Sequence, residues 1–173
     1  LSGTVRSLFL LNSLRTPMRK ILLMAALCLA STTIYAQQFG AALTAGDGVI
    51  FAGEGGNRVS AGTVYVYTRA EDGSWMETGK LKAPGSSDEA NGFGRTLSVD
   101  GNTLVVGAPT ESAAYVFEKG EDGTWANVAR LEGFGVGLGS AVAISEDQIL
   151  VGSIGEGTEE SAAVNHIWTR QED

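Results

Sequence analysis

Few residues in this chain could do chemistry. His166 is the only histidine and Cys28 the only cysteine. A Ser-His-Asp site needs an imidazole to take the nucleophile's proton, so any such site would have to form around His166. That residue falls in Val164-Asn165-His166, and the counterparts of this stretch elsewhere in the chain hold no histidine. It therefore reads as a surface or strand-edge residue. The carboxylate pairs Glu71-Asp72 and Glu121-Asp122 each precede a glycine, which points to turn formation rather than acid-base work. Gly133-Phe-Gly-Val-Gly-Leu-Gly139 has the glycine density of a phosphate loop but lacks the lysine and helix that should follow one. A hard cation wants several carboxylate oxygens at close spacing. Gly46-Asp47-Gly48 and Asp100-Gly101 offer one each, as turn residues do. Asp88-Glu89 and Glu159-Glu160 stand in longer loops as solvated charge. No residue is assigned a catalytic, cofactor-binding or metal-binding role.

What does recur is a phrase. Gly62-Thr-Val-Tyr-Val-Tyr-Thr-Arg-Ala-Glu-Asp-Gly-Ser-Trp75 returns 50 residues later as Ser112-Ala-Ala-Tyr-Val-Phe-Glu-Lys-Gly-Glu-Asp-Gly-Thr-Trp125. A third copy, Ile167-Trp-Thr-Arg-Gln-Glu-Asp173, mirrors Val66–Asp72 at an offset of 101. A period in this range signals a repeat array, in which each unit buries its apolar face against its neighbours. The aromatic series Tyr65, Tyr67, Trp75, Tyr115, Phe117, Trp125 and Trp168 occupies equivalent positions. Such residues can stack on sugars, but packing between repeats is the expected role.

The elements that would carry these residues are short strands. In the complete second copy, Arg95–Val99 alternates as a strand, Asp100-Gly101-Asn102 supplies a tight turn, and Leu104–Val106 is an apolar run suited to burial on both faces. Ala114–Lys119 and Thr124–Leu131, joined through Gly120–Gly123, complete four strands. The first copy repeats this over Ala41–Ala45, Val49–Ala52, Thr63–Arg69 and Trp75–Lys82. The third offers Ala141–Ser145, Gln148–Gly152 and Ala163–Arg170, without a fourth. The expected fold is all-β: a partial β-propeller of about two and a half four-stranded antiparallel blades, at 39–92, 93–137 and 138–173. The further blades of the ring are then expected partners from the same polypeptide.

Charge is divided unevenly. All 20 acids lie after residue 36, with eight of the 12 bases, so segment 37–173 carries a net charge of −12. Such a surface repels phosphate backbones and excludes nucleic acid as a partner. It serves solubility, or else a cation-rich partner. Before it, Met18-Arg19-Lys20, the apolar run Ile21–Ala30 and the more polar Ser31–Ala36 follow the order of an export signal. The apolar run is short of the roughly 20 residues a membrane span needs, so no stable span is expected in the mature chain. The expected parts are an upstream non-native extension at 1–17, a signal peptide at 18–36 cut after Ala36, and the array at 37–173. Two alternatives are an uncleaved anchor and a lipid anchor at Cys28, which Leu27 disfavours where a small residue is required.

The unit openings Phe39-Gly40, Phe93-Gly94 and Leu138-Gly139, with Gly107-Ala108-Pro109 closing the second copy's apolar strand, resemble the FG-GAP repeat family. Its members form the blades of integrin-α-like propellers, and the lead-in Leu81-Lys-Ala-Pro84 is similar to the bacterial secreted branch. Gly53-Glu-Gly55 and Gly152-Ser-Ile154 replace Gly-Ala-Pro in the other copies. The resemblance implies a ring of about seven blades. It also implies calcium in Asp-x-Asp-x-Asp-Gly loops, a motif absent from this chain, so no cofactor is expected. The implied function is a secreted, periplasmic or cell-surface binding module for extracellular protein or glycan, adhesive and non-catalytic. Its contacts are expected on loops Gly53–Ala61, Ala83–Gly92 and Ser153–Ser161. The alternative is an accessory or partial propeller domain of a larger secreted enzyme.

Overall fold

The computed structural model describes residues 39–56, 60–155 and 162–170. The extension 1–17, the export signal 18–36 with Cys28, and Glu159-Glu160 lie outside the described residues, as do parts of loops Gly53–Ala61 and Ser153–Ser161.

The described residues form three antiparallel sheets. The first blade is β1 (Ala42–Gly46), β2 (Val49–Gly53), β3 (Val64–Arg69) and β4 (Trp75–Leu81). The middle blade is β5 (Thr96–Asp100), β6 (Thr103–Ala108), β7 (Ala113–Lys119) and β8 (Trp125–Glu132). The third is β9 (Ala141–Ser145), β10 (Gln148–Gly152) and β11 (Asn165–Thr169). Strands pair in chain order within each sheet, so every connection inside a blade is a hairpin. The two-residue turn between β1 and β2 has Asp47 and Gly48 both at positive φ, as a primed hairpin turn requires. The β3–β4 and β7–β8 pairs carry a bulge at the same place, after Val66 and after Val116. The first strands β1, β5 and β9 lie side by side from blade to blade.

Registering the blades on their first turns makes three sets of residues equivalent. Phe51, Val105 and Leu150 share one position on the second strand; Val66, Val116 and Ile167 share one on the third. Phe39, Phe93 and Leu138 share the blade opening. Period-two alternation then gives each blade a face toward the preceding blade and a face toward the following one. Between the first and middle blades, Val49, Phe51, Val64 and Val66 meet Phe93, Leu104, Val106, Tyr115 and Phe117 in one apolar cluster. Between the middle and third blades, Val105, Ala114 and Leu131 meet Leu138, Val142, Ile149, Val151 and Trp168 in another. All of β6 is buried because apolar layers cover both of its sides. Ring contacts are edge-on: Phe51 to Trp125 at 4.9 Å and Phe93 to Tyr115 at 5.6 Å.

Glycines set how closely the blades approach. Gly40, Gly94 and Gly139 each donate a backbone hydrogen bond to the glycine at or next to the end of the second strand of their own blade: to Gly53 at 2.9 Å, Gly107 at 3.1 Å and Gly152 at 3.0 Å. The carbonyl oxygen of Gly94 lies where a Cβ on Gly53 would stand, and the carbonyl of Gly139 lies where one on Gly107 would stand. The opening Phe-Gly or Leu-Gly of one blade is thus seated on the strand-ending glycine of the blade before it. Side chains close the middle seam further: the Thr96 hydroxyl donates to the Gly139 carbonyl at 2.7 Å, and Ser98 accepts from the Ile144 amide at 3.1 Å.

Candidate functional site

The loops joining second to third strands and the loops joining blades gather at one end of the sheets. At the seam of the middle and third blades they enclose an open groove of about 470 Å³. Its floor and walls include Arg95, Thr110, Ser112, Val136, Ser140 and Ile154. Each wall has a local cause. Pro109 opens a short 3-10 turn at Pro109–Glu111, and Ser112 ends it in a left-handed conformation at φ 50°. Ser112 Oγ then accepts from the Gly137 amide at 3.1 Å, fastening the glycine-rich connection to the middle blade. Ile154 donates from its backbone to the Val136 carbonyl at 3.1 Å, fastening the same connection to the third blade. The result is an exposed guanidinium, several hydroxyls and two exposed apolar side chains, Val136 and Ile154, around one groove. It can hydrogen-bond and pack against an extended peptide or a sugar. It brings together no carboxylate pair, imidazole or thiol.

A second groove of about 390 Å³ lies between the first and middle blades, lined by Thr68, Thr78, Lys80, Asp122 and Trp125. Its chemistry is already engaged in the fold. The Trp125 ring packs on Phe51, and Asp122 Oδ1 accepts from both the amide and the hydroxyl of Thr124, at 3.0 and 2.7 Å.

The residues singled out in the sequence do not converge. His166 stands on β11 with its Nε2 2.8 Å from the Phe134 carbonyl and its ring beside Trp168 at 5.4 Å, and among the described residues no acid or nucleophile is hydrogen-bonded to it. Asp72 and Asp122 hold the same turn in two blades. Each carboxylate accepts from the hydroxyl and amide two residues on, and these bonds, the hydroxyl first, hold its pKa below the usual aspartate value. Glu71 and Glu121 are exposed beside them. Asp47 sits in its turn, and Asp100 accepts from the Glu146 amide at 2.6 Å across the seam. Asp88 and Glu89 are exposed in the loop Ala83–Gly92. Gly133–Gly139 is the connection between blades. Among the described residues no three metal-ligating side chains gather. The aromatic residues pack within and between blades, apart from Trp75, which is exposed because it faces the side of the first blade that no other blade covers.

Two clusters escaped the sequence reading. Tyr65 donates to Glu54 Oε2 at 2.9 Å under the ammonium of Lys80, 4.8 Å from its ring. Tyr115 donates to Glu111 Oε2 at 2.6 Å and accepts from Arg130 Nε at 3.1 Å. Both phenols are raised above their usual pKa. At Tyr65 the bond to Glu54 is the chief cause; at Tyr115 burial leads and the bond to Glu111 follows. The 50-residue offset relates Tyr65 to Tyr115 and Lys80 to Arg130, and that signal was legible. Glu54 and Glu111 are not related by it, because they reach the phenol from different loops. Asn91 was also missed. It is buried, and its Oδ1 accepts from the Gly62 and Phe93 amides at 2.9 and 3.0 Å, tying one loop to the opening of the middle blade.

Residues 75–119 match the FG-GAP repeat family. No curated protein matches the chain by sequence. Among solved structures, the chain is similar to a candidate 6-phosphogluconolactonase of Bacteroides uniformis at 12% identity and TM-score 0.47, over 78% of this chain and 44% of that one. It thus spans less than half the length of that protein. It is also similar to the computationally designed protein Ika4, at 13% identity and TM-score 0.41, over 80% of this chain and 95% of that one. At these scores neither likeness bears on function. No helix among the described residues is long and apolar enough to cross a membrane. With its Phe-Gly opening at Phe93-Gly94 and its Gly107-Ala108-Pro109 strand end inside a four-stranded blade, segment 75–119 matches the FG-GAP repeat, and the described residues are built as part of a β-propeller.

Proposed function

We propose that the chain is an exported, non-catalytic binding module that recognises extracellular protein or glycan through the loop end of its blades. The observation that carries this reading is the groove at the middle seam, where the exposed Arg95 guanidinium and the Thr110 hydroxyl stand beside the exposed Val136 and Ile154, while the Ser112 and Ser140 hydroxyls fasten the Gly137 backbone that forms one wall. A rigid sheet framework beneath variable loops is the usual arrangement for recognition. The mixture of a planar cation, hydroxyls and isolated apolar side chains suits a polar, extended ligand. Export is supported by the basic-apolar-polar order of residues 18–36. Metal-independent binding is part of the proposal, and it is supported by Asp72 and Asp122, whose carboxylates are taken up in holding local backbone.

The test is a glycan array and an extracellular-protein pull-down with the full chain, followed by Arg95→Ala. Capture of a defined ligand, weakened by about tenfold or more in Arg95→Ala, as expected for a charged hydrogen bond, and unchanged by a chelator, is the expected result. A ligand whose binding ignores both Arg95→Ala and Ile154→Asp sinks the groove as the site.

A further inference from the structure

Charge is sorted at the middle seam. Arg95 is the one charged residue lining the groove there, although segment 37–173 carries a net charge of −12. Glu111, the acid next to Thr110 in the chain, is turned to the Tyr115 hydroxyl, which donates to its Oε2 at 2.6 Å. Among the described residues the Arg95 guanidinium has no ion pair and no hydrogen bond, and neither does the Thr110 hydroxyl. Lys80, Arg130 and Arg170 differ, since each lies against a glutamate: Glu77, Glu132 and Glu118. An exposed guanidinium without an internal carboxylate has its fork of donors open to an external one.

The two seams also place their apolar residues differently at this end. Asn91 and Val136 hold the same position, just before the blade openings at Phe93 and Leu138. Asn91 is 4% exposed, and its Oδ1 takes the amides of Gly62 and Phe93, which closes the first seam at this point. Val136 is 45% exposed. Ser112, the counterpart of Gly62, reaches the Gly137 amide instead, so the connection is held at the next residue and the Val136 isopropyl group stays at the surface. Arg95 and Thr110 belong to the middle blade and Val136 to its connection with the third. This part of the groove is therefore internal to the array and does not depend on what flanks it.

We infer, on the reading that this groove is the recognition site, that its ligand is an acidic peptide segment of an extracellular protein, with one carboxylate on Arg95 and an adjacent aliphatic side chain against Val136 and Pro109. A carboxylate meets the guanidinium with two parallel bonds, which a neutral amide cannot match. The Thr110 hydroxyl is free to donate to a peptide carbonyl beside it. The acidic surface around the groove opposes a run of acids, so a single carboxylate flanked by apolar residues is the better fit. An acidic sugar would offer the same carboxylate. Sugar rings pack their C–H faces on aromatic rings, however, and no aromatic side chain lines this groove.

The experiment is fluorescence anisotropy with the full chain and labelled probes. One probe is an end-capped pentapeptide with aspartate between two valines. The second has asparagine in place of the aspartate, and the third is an oligoglucuronate. The expected result is that the aspartate peptide binds at least about tenfold more tightly than the asparagine peptide, with an advantage that shrinks as salt is raised. Arg95→Ala should abolish the difference between the two peptides, and Val136→Ser should weaken both alike. Both residues are exposed, so both variants should fold, and circular dichroism verifies this. Equal binding of the two peptides, or no binding of the aspartate peptide up to millimolar concentration, overturns the proposal. Tighter binding of the oligoglucuronate through Arg95 also overturns it but keeps the groove as the recognition site. A preference for aspartate that survives Arg95→Ala overturns the proposal and the groove together.

Discussion

The middle blade and the two outer blades share one plan and live in different surroundings. Val105 and Val116 are buried under the third blade, while Leu150 and Ile167, at the same positions one blade later, face solvent. Phe93 is fully buried and Phe39 is half exposed. Sequence similarity between repeats therefore does not imply equal energetics. A repeat residue gains its burial from the neighbouring repeat, so its contribution depends on which neighbours are present.

The largest test of this contrast uses the blade openings. Phe93→Ala should cost about 3–5 kcal/mol, the range for a buried aromatic residue. Phe39→Ala should cost only about 1 kcal/mol, because Phe39 is half exposed and its ring contact is the edge of Tyr65. Urea unfolding of the two variants measures this, and equal losses would mean that the seams are not the source of stability. Next come the strand-ending glycines. Gly107→Ala forces a methyl group into the Gly139 carbonyl and should destabilise by about 1–3 kcal/mol or more. Gly152→Ala would crowd only the side-chain oxygen of the exposed Asn165, which can turn aside, and otherwise meets Ala141 at ordinary contact, so it should cost less than Gly107→Ala, about 1 kcal/mol or below. Similar costs at both glycines would show that local strand conformation, and not the approach of the next blade, selects glycine.

The phenols sharpen the comparison at smaller scale. Tyr65 and Tyr115 are both raised, so both favour the neutral form in the folded chain. Their contribution is present below the ordinary tyrosine pKa of about 10 and is lost as pH climbs through the higher folded values. The leading causes differ, which gives distinct outcomes. Glu54→Gln should bring Tyr65 back toward the ordinary value, whereas Glu111→Gln should leave Tyr115 still raised, because burial persists there. Phenolate absorbance during alkaline titration reads both. The smallest expected effect lies at the rim. Asp72 and Asp122 make the same bonds in exposed turns, so their carboxyls should titrate alike, below the ordinary aspartate value. Their contribution is present above that ordinary value and fades as pH falls through the lowered one. Carboxyl shifts followed by NMR would break the equivalence if the two midpoints differed.

Much of the architecture was legible before any coordinates. The turns at Asp47-Gly48 and around Gly101 mark hairpins because their residues accept positive φ. The run Leu104–Val106 marks a strand covered on both sides because no polar residue interrupts it. Strand boundaries moved by a residue or two, and the predicted strand Ala163–Arg170 shortens to Asn165–Thr169. The candidate site was less legible. Two of the three loops named as contact regions lie partly outside the described residues, and the groove draws on Ser112 and Arg95, which the sequence placed only at the start of a repeated phrase and of a strand. Such a groove joins residues from two blades, and a linear pattern carries no information on which loops meet across a seam.

The sequence by itself determined that this is a stack of equivalent small sheets, because a phrase of alternating apolar residues that returns at an offset of 50 buries its aromatic series against neighbouring copies. It also determined that chemistry would be sparse, with one histidine and acids placed beside turn glycines. Only the tertiary structure decided which copies of a repeated residue are core and which are open surface. It also decided why Gly53 and Gly107 must be glycine and where Glu54 and Glu111 would find their tyrosines. Those outcomes depend on distances between chain segments far apart in sequence, and such distances are fixed only when one blade packs against the next.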